Sequence, residues 1–174
     1  MQHKPKLKKG DVLLSDPDRN LHPLHNFIHK NTVARFQGLE EHGHIAIYDG
    51  KNIIESMPHT GIRSIPAEKW KKHFEYTVLR PKSHLKKNID ERLGTLKEHL
   101  GKSYSFVDAG VGAARLGGIL KKKSFSKKLE LHRMTCSALA SKPYPEVAQK
   151  VDVHEAHLMP VDIKNSGLFK VIKH

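Results

Sequence analysis

The segment "GHIAIYDGKNIIES", residues 43–56, decides the fold that we predict for this chain. Side chains of an extended strand alternate between two faces, so His44 lies on the face opposite the apolar Ile45. The Asp-Gly pair at 49–50 is typical of a hairpin turn, after which the chain returns antiparallel to the first strand. This return brings Glu55 back toward His44. Taken alone, a half-exposed His and Glu on an ordinary hairpin is the simpler interpretation.

The rest of the pattern predicts strands in the first half of the chain and helices in the second. Short strands are predicted at 10–15, 61–66 and 74–81, and a proline ends each of the last two. The other predicted elements are a helix or structured loop at 22–37, helices at 88–101 (Asn88 as N-cap, Gly101 as stop), 105–123 and 132–143, and a closing strand at 168–172. Together they predict an α+β fold with an antiparallel sheet.

Length and composition are those of a single soluble domain. The 174 residues are predicted to form one unit, 1–174, in which the basic segment 1–9 is flexible. Cys136 is the only cysteine, so no intramolecular disulfide forms and nothing requires an oxidising compartment. The amino terminus lacks the apolar region of a signal peptide, and no stretch approaches the roughly 20 apolar residues of a membrane span. We therefore expect a protein that is cytoplasmic where it is made. Export without a signal peptide and the oligomeric state stay open.

The charge is strongly positive, because 31 Lys and Arg stand against 18 Asp and Glu, a net charge of +13. Such a surface attracts anionic partners such as nucleic acid, acidic lipid headgroups or wall polymers. The lysines fall in short runs at 4–9, 69–72, 82–87 and 121–128 and are not interleaved with aromatic residues as in a single-strand binding groove. A solvated basic surface is therefore favoured over a nucleic-acid site, and an anionic membrane remains a candidate partner.

Two motifs suggest cofactors, but neither has the required spacing. "GVGAARLGG" at 110–118 lacks the preceding apolar strand and the lysine-threonine ending of a phosphate-binding loop. His154 and His157 in "HEAH" do not have the zinc-protease spacing, and no third ligand is evident. We predict neither a cofactor nor a metal.

Cys136 has the sequence context of a nucleophile. It lies in "RMTCSALA", where Thr135 is a candidate N-cap and a helix continues from Ser137. Unpaired N–H groups in the first turn of a helix stabilise a thiolate, and a neighbouring imidazolium lowers its pKa further. The alternative is a small buried hydrophobic residue.

The order of these segments resembles that of the circularly permuted NlpC/P60 proteins. The resemblance covers residues from about 10 to 172 and rests on short motifs: "GDVLLS", "GHIAIYDGKNIIES", "TVLRP", "GKSYSF", "TCSALA" and "MPVDIKNSGLFKVI". That family belongs to the papain-like superfamily and includes bacterial cysteine-hydrolase relatives of lecithin:retinol acyltransferase. The resemblance implies a permuted papain-like fold, in which an antiparallel sheet or partial barrel packs against helices.

The resemblance also implies a catalytic set. It places the histidine at the start of a strand, an acidic or polar residue in the next strand and the cysteine at the start of a late helix, which correspond to His44, Glu55 and Cys136. Tyr104 in "GKSYSF" matches a tyrosine near the active site of the family, and the segment from Pro160 to Ser166 matches a structural motif. The chain departs from the family at Ala138, where a polar or acidic residue is common, and in its basic charge.

The expected activity is that of a cysteine hydrolase acting through an acyl-enzyme. His44 would take or hold the proton of Cys136, Glu55 would orient the imidazole, and the N–H of Cys136 with Tyr104 would form the oxyanion hole. His59 is the next candidate if Glu55 is not the third member. The favoured substrate is an amide bond in a peptide, an isopeptide or a cell wall. The alternatives are a lipid or thioester hydrolase or acyltransferase at anionic membranes, and a catalytically silent binding module.

Overall fold

The computed structural model describes residues 5–15, 43–116 and 134–172. Six strands form one antiparallel sheet: β1 (Val12–Ser15), β2 (His44–Tyr48), β3 (Asn52–Met57), β4 (Gly61–Pro66), β5 (Tyr76–Pro81) and β6 (Phe169–Ile172). Their order across the sheet is β4-β3-β2-β1-β5-β6. The strands predicted in the first half and at the end of the chain are therefore confirmed, and the fold is α+β with an antiparallel sheet.

Six α-helices and two 3-10 turns accompany the sheet in the described part of the chain. The helices are α1 (Ala67–Trp70), α2 (Ile89–Lys97), α3 (Phe106–Leu116), α4 (Cys136–Ser141), α5 (Glu146–Val151) and α6 (Pro160–Asn165); the 3-10 turns are Ser83–Lys86 and Glu155–His157. The sequence reading missed α5 and α6, which are only six residues long and too short for a helical period to be recognised. No described helix is long and apolar enough to cross a membrane.

The helix boundaries differ in detail from those predicted. Asn88 precedes α2 in the left-handed conformation (φ 55°), and its side chain makes no capping hydrogen bond. The helix ends at Lys97 rather than at Gly101, and a turn covers residues 98–101. The two glycines of the "GVG" motif lie inside α3, where Gly112 allows Met159 to approach closely. The predicted element at 22–37 lies outside the described residues.

Each face of the sheet has its own apolar cluster. Alternate strand residues such as Leu14, Ile45 and Ile54 pack against α2, α4 and the carboxy-terminal elements. The residues between them, which include Ala46 and Ile53, pack against Trp70 and its aromatic neighbours. Strand alternation therefore assigns His44 and Glu55 to the Trp70 face, whereas Leu139 and Ala140 of α4 pack on the other face.

The described part of the basic amino-terminal segment contacts the sheet over residues 6–8. The side chain of Leu7 packs against the Trp70 face. The N–H of Lys8 donates to Asp11 (2.7 Å), and Arg80 bonds both the Asp11 carboxylate and the carbonyl oxygen of Lys6. The buried Asp11 is thus the charge that holds this segment to the sheet.

Candidate active site

The hairpin β2–β3 opens at the end where His44 lies. Its turn is closed by Asp49, whose Oδ1 accepts the N–H groups of Lys51 and Asn52. The two strands pair from Tyr48 to Ala46, which lies opposite Glu55. Beyond this point each strand stays paired only with its outer neighbour, β2 with β1 and β3 with β4. The backbone N–H of Ile45, which points to the β3 side, is therefore available to another segment.

The start of α4 occupies this opening. Ser56 Oγ donates to the carbonyl oxygen of Met134 (2.7 Å), and the backbone N–H of Ile45 donates to the sulfur of Cys136. At this opening, side chains from the two faces of the sheet can contact each other. It explains how His44 on the Trp70 face meets a cysteine whose helix packs on the opposite face.

The predicted N-cap of α4 is confirmed. Thr135 Oγ1 accepts the N–H of Ala138 (3.1 Å), and Cys136 is the first helical residue. Its own N–H therefore has no acceptor within the helix. The Cys136 residue is 7% exposed. Because α4 has only six residues, the individual donors around the sulfur contribute more to thiolate stability than the helix dipole does.

The structure brings His44, Glu55 and Cys136 together. His44 Nε2 lies 2.9 Å from Glu55 Oε2, and the imidazole also hydrogen-bonds the Cys136 side chain. Because Nε2 is engaged by Glu55, Nδ1 is the ring nitrogen left to face the sulfur. All three residues are buried, and Glu55 is fully so. The three side chains form a relay: Cys136 hydrogen-bonds His44, and His44 hydrogen-bonds Glu55.

Two further residues hold Glu55, and the sequence reading missed both. Arg63 donates from Nε (2.9 Å) and Nη2 (2.7 Å) to Oε1, and Trp70 donates from Nε1 to Oε2 (2.8 Å). With His44, four contacts fix the carboxylate in one orientation. The signal for Arg63 was present, since it lies directly opposite Glu55 in the β3–β4 register, where opposite charges pair favourably. The N–H of Trp70 carried no comparable signal.

The charges of the relay reinforce one another. Burial would raise the pKa of Glu55, but the hydrogen bond and charge of His44, then the bonds from Trp70 and Arg63, lower that pKa to about 2. Burial would lower the pKa of His44, but its bonds to Cys136 and Glu55 raise that pKa to about 10. Burial would raise the pKa of the Cys136 thiol, but His44, the Ile45 N–H and Ser137 together lower it. The favoured state is a thiolate beside an imidazolium beside a carboxylate.

Tyr104 lies within electrostatic range of Cys136. Burial raises the pKa of its phenol, and the negative charge of Cys136 raises it further, so the hydroxyl stays neutral. Its segment is fixed against β4, where Ile62 donates to the Lys102 carbonyl and accepts from the Gly101 N–H, each at 2.8 Å. Next to it, the N–H of Met134 donates to the carbonyl oxygen of Ser103 (3.0 Å). The 101–104 segment therefore connects β4 to the residue two positions before α4.

Gly61 permits this connection, and replacing it is expected to destabilise the protein. Gly61 has φ +65°, and a Cβ there would overlap the Lys102 carbonyl oxygen. We expect Gly61→Ala to lower the free energy of unfolding by about 2 kcal/mol or more. Urea unfolding measures the change.

Gly94→Ala is the matched control, because Gly94 lies inside α2 and a Cβ there meets nothing within 4 Å. The free energy of unfolding of this variant should rise by up to about 1 kcal/mol, because alanine has a higher helix propensity than glycine. A Gly61→Ala protein as stable as the wild type would show that the contact with Lys102 is not a constraint.

The other candidate residues lie apart from the relay. His59 is exposed on the turn after β3. His154 and His157 face each other with ring centroids 5.5 Å apart, but no group of three potential metal ligands occurs among the described residues. In the segment from Pro160 to Ser166, Asp162 accepts the N–H of Met159 at the start of α6, and Ser166 donates to the carbonyl oxygen of Ile163. These last contacts stabilise the two ends of α6.

Comparison with known proteins gives no relative: no family model, no curated protein and no solved structure matches the chain significantly.

Proposed function

We propose that this protein is a cysteine hydrolase that cleaves an amide bond in a peptide, an isopeptide or a cell-wall polymer. The observation that carries the proposal is the buried relay of Cys136, His44 and Glu55, which favours a thiolate paired with an imidazolium. Such a pair supplies both a nucleophile and a proton donor at neutral pH. The resemblance to permuted NlpC/P60 proteins supports the amide as substrate.

The chemistry follows from the positions of these groups. The Cys136 thiolate attacks the carbonyl carbon, and the oxyanion is stabilised by the Cys136 N–H and the neutral Tyr104 hydroxyl. His44 gives its proton to the leaving amine as the C–N bond breaks, which leaves a thioester on Cys136. Neutral His44 then takes a proton from water, whose oxygen attacks the thioester. The C–S bond breaks, the acid product leaves and the ion pair is restored.

A second candidate substrate is an acyl ester or thioester of a lipid. Phe106 and Val107, at the start of α3, are 55% and 54% exposed. The Phe106 ring packs edge-on against Tyr104, with ring centroids 5.2 Å apart. An apolar surface that continues to the edge of the nucleophile's surroundings suits an acyl chain. The same relay would then perform a lipid hydrolase or acyltransferase reaction, in which a second nucleophile replaces water.

Two probes with the same chloromethyl ketone electrophile distinguish these substrates, one carried on a short peptide and one on a long alkyl chain. We expect the peptide probe to alkylate Cys136 faster, as measured by intact mass against time. The Cys136→Ser protein should gain no mass with either probe, because a serine hydroxyl in this position is a far weaker nucleophile.

The Phe106→Ser/Val107→Ser protein is a further control. If the alkyl probe labels the wild-type protein faster than the peptide probe, and this advantage is lost in the variant, the lipid activity is favoured over the amidase activity. No labelling by either probe in the folded wild-type protein would contradict both activities and leave the silent binding module.

A further inference from the structure

A second site lies at the opposite end of the β2–β3 hairpin from Cys136. A cleft of about 890 Å³ is formed by the amino-terminal segment, the hairpin turn and the end of α2. His44 and Tyr48 are the two ends of β2, so the cleft is separated from the nucleophile by roughly 13 Å of strand. This volume accommodates a small organic molecule rather than a single ion.

Four lysines line the cleft, and they come from three separate parts of the chain: Lys6, Lys9, Lys51 and Lys97. Asp49 is the carboxylate among the lining residues, and one of its oxygens already accepts two backbone N–H groups. In the described part of the chain, an ion pair is seen for Lys9, with Asp90, but for none of the other three lysines. The cleft therefore carries more positive than negative charge, with four ammonium groups against the carboxylates of Asp49 and Asp90.

The hairpin turn orders one side of this cleft. Tyr48 Oη donates to the Gly50 carbonyl oxygen (2.6 Å), and the aliphatic stem of Lys9 lies across Gly50. Gly50 has φ +107°, a conformation that a residue with a side chain rarely adopts. Asn52 and Ser64 add polar side chains to the lining. Ammonium groups gathered around an ordered hairpin turn, beside hydrogen-bonding side chains, suit phosphate oxygens.

We propose that this cleft binds a molecule that carries more than one phosphate group. The argument is electrostatic: like charges converging on one concave surface raise the local positive potential, and a multiply charged anion relieves it. The net charge of +13 would attract anions anywhere on the protein, so the proposal concerns the cleft specifically. Phosphates of this kind occur both in soluble molecules and in lipid headgroups, and the experiment separates the two.

The test compares two double variants with the same change in charge. Lys51→Glu/Lys97→Glu alters the cleft, whereas Lys72→Glu/Lys150→Glu alters exposed lysines elsewhere. Lys97 and Lys150 both lie in the last turn of a helix, so the effect on helix stability is matched. One arm titrates tripolyphosphate by calorimetry. The other measures co-sedimentation with phosphatidylcholine vesicles with and without phosphatidylinositol 4,5-bisphosphate, a lipid whose headgroup carries several phosphates.

We expect the wild-type protein to bind in at least one arm and the cleft variant to bind about tenfold more weakly or worse, while the control variant stays within about twofold. Loss in the tripolyphosphate arm identifies a soluble ligand, and loss confined to vesicles with phosphatidylinositol 4,5-bisphosphate identifies a lipid headgroup. Equal weakening of both variants would show that the general charge of the protein binds the anion and would overturn the proposal. An absence of binding in both arms would also overturn it.

Alkylation of Cys136 by iodoacetamide verifies that the variants are folded. Neither pair of lysines contacts the relay, so the rate of Cys136 alkylation should be unchanged in both variants. The same measurement keeps this proposal separate from the proposed hydrolase, because the cleft can bind phosphate whether or not Cys136 turns over a substrate.

Discussion

His44→Ala is expected to reduce turnover by at least about 10³-fold and to raise the pKa of the Cys136 thiol. In the wild-type protein His44 is the main influence that lowers this pKa against the cost of burial. Without the imidazolium, burial would dominate and the thiol would stay protonated at neutral pH. The measurement is the rate of Cys136 alkylation by iodoacetamide as a function of pH. In the wild type this rate should titrate well below the ordinary thiol value of 9.0, and in the variant it should not.

The controls for this experiment use the chain's own residues. Cys136→Ala removes the nucleophile, so turnover should fall to background. His59→Ala replaces an exposed histidine next to β3 and should leave both turnover and the alkylation profile unchanged. A His44→Ala protein that keeps a low thiol pKa would contradict the assignment of His44 as the partner of Cys136.

Glu55→Gln is expected to lower both activity and stability, and it tests the third member of the relay. Four donor contacts point at the two carboxylate oxygens, so an amide must place its NH2 group against at least one of these donors. We expect a loss of about 10–10³-fold in turnover, a raised Cys136 pKa and a decrease of about 3 kcal/mol in the free energy of unfolding. Kinetics, alkylation and urea unfolding measure the three effects.

The pH dependence of stability gives this prediction a sign. The pKa of Glu55 is lowered from 4.5 to about 2, so its contribution is complete above pH 4.5 and is lost as pH falls toward 2. The pKa of His44 is raised from 6.5 to about 10, so its contribution is complete below pH 6.5 and is lost as pH rises toward 10. The contributions of Glu55 and His44 are therefore both complete between about pH 4.5 and 6.5, and Glu55→Gln should remove the acidic limb.

Glu68→Gln provides the comparison for Glu55→Gln. Glu68 is an exposed carboxylate paired with Lys71, and this substitution should leave activity and the alkylation profile as they are. If Glu55→Gln also left both unchanged while His44→Ala abolished them, Glu55 would be a structural residue of β3 and not part of the site.

Local patterns in the sequence were sufficient for the hairpin and for the cap of the nucleophile helix. The alternation around His44, the turn residues at 49–50 and the Thr-Cys-Ser start of α4 all act within a few residues, and the structure confirms each of these elements. The hairpin register pairs Glu55 with Ala46, which places His44 diagonally across from Glu55 on the same face of the sheet. Strand spacing and turn length fix such a contact without knowledge of the rest of the chain.

The contacts that complete the site depend on tertiary packing and could not be read in advance. Trp70 reaches Glu55 because α1 folds back over β3 and β4, and the donors to the Cys136 sulfur include a backbone group that has no side-chain signature. The opening of the hairpin beyond Ala46 is likewise invisible in its alternation, which continues unbroken through His44. The cleft lined by lysines combines segments up to about 90 residues apart. A count of charged residues predicts that the surface is positive but not where the lysines come together.

The opening between β2 and β3 also determines when the sulfur of Cys136 meets the groups that lower its pKa. Ser56 and Met134, whose bond seats the start of α4, are 78 positions apart, so ribosomal synthesis delivers the histidine and glutamate long before the cysteine. Contacts between residues so far apart in sequence form late in folding, because closing the long intervening loop costs chain entropy before the contacts can stabilise the chain. A nascent or partly folded chain therefore carries an ordinary, mostly protonated sulfhydryl that is slow to attack neighbouring proteins or to oxidise. In the proposed mechanism, the nucleophile therefore forms only as the fold is completed.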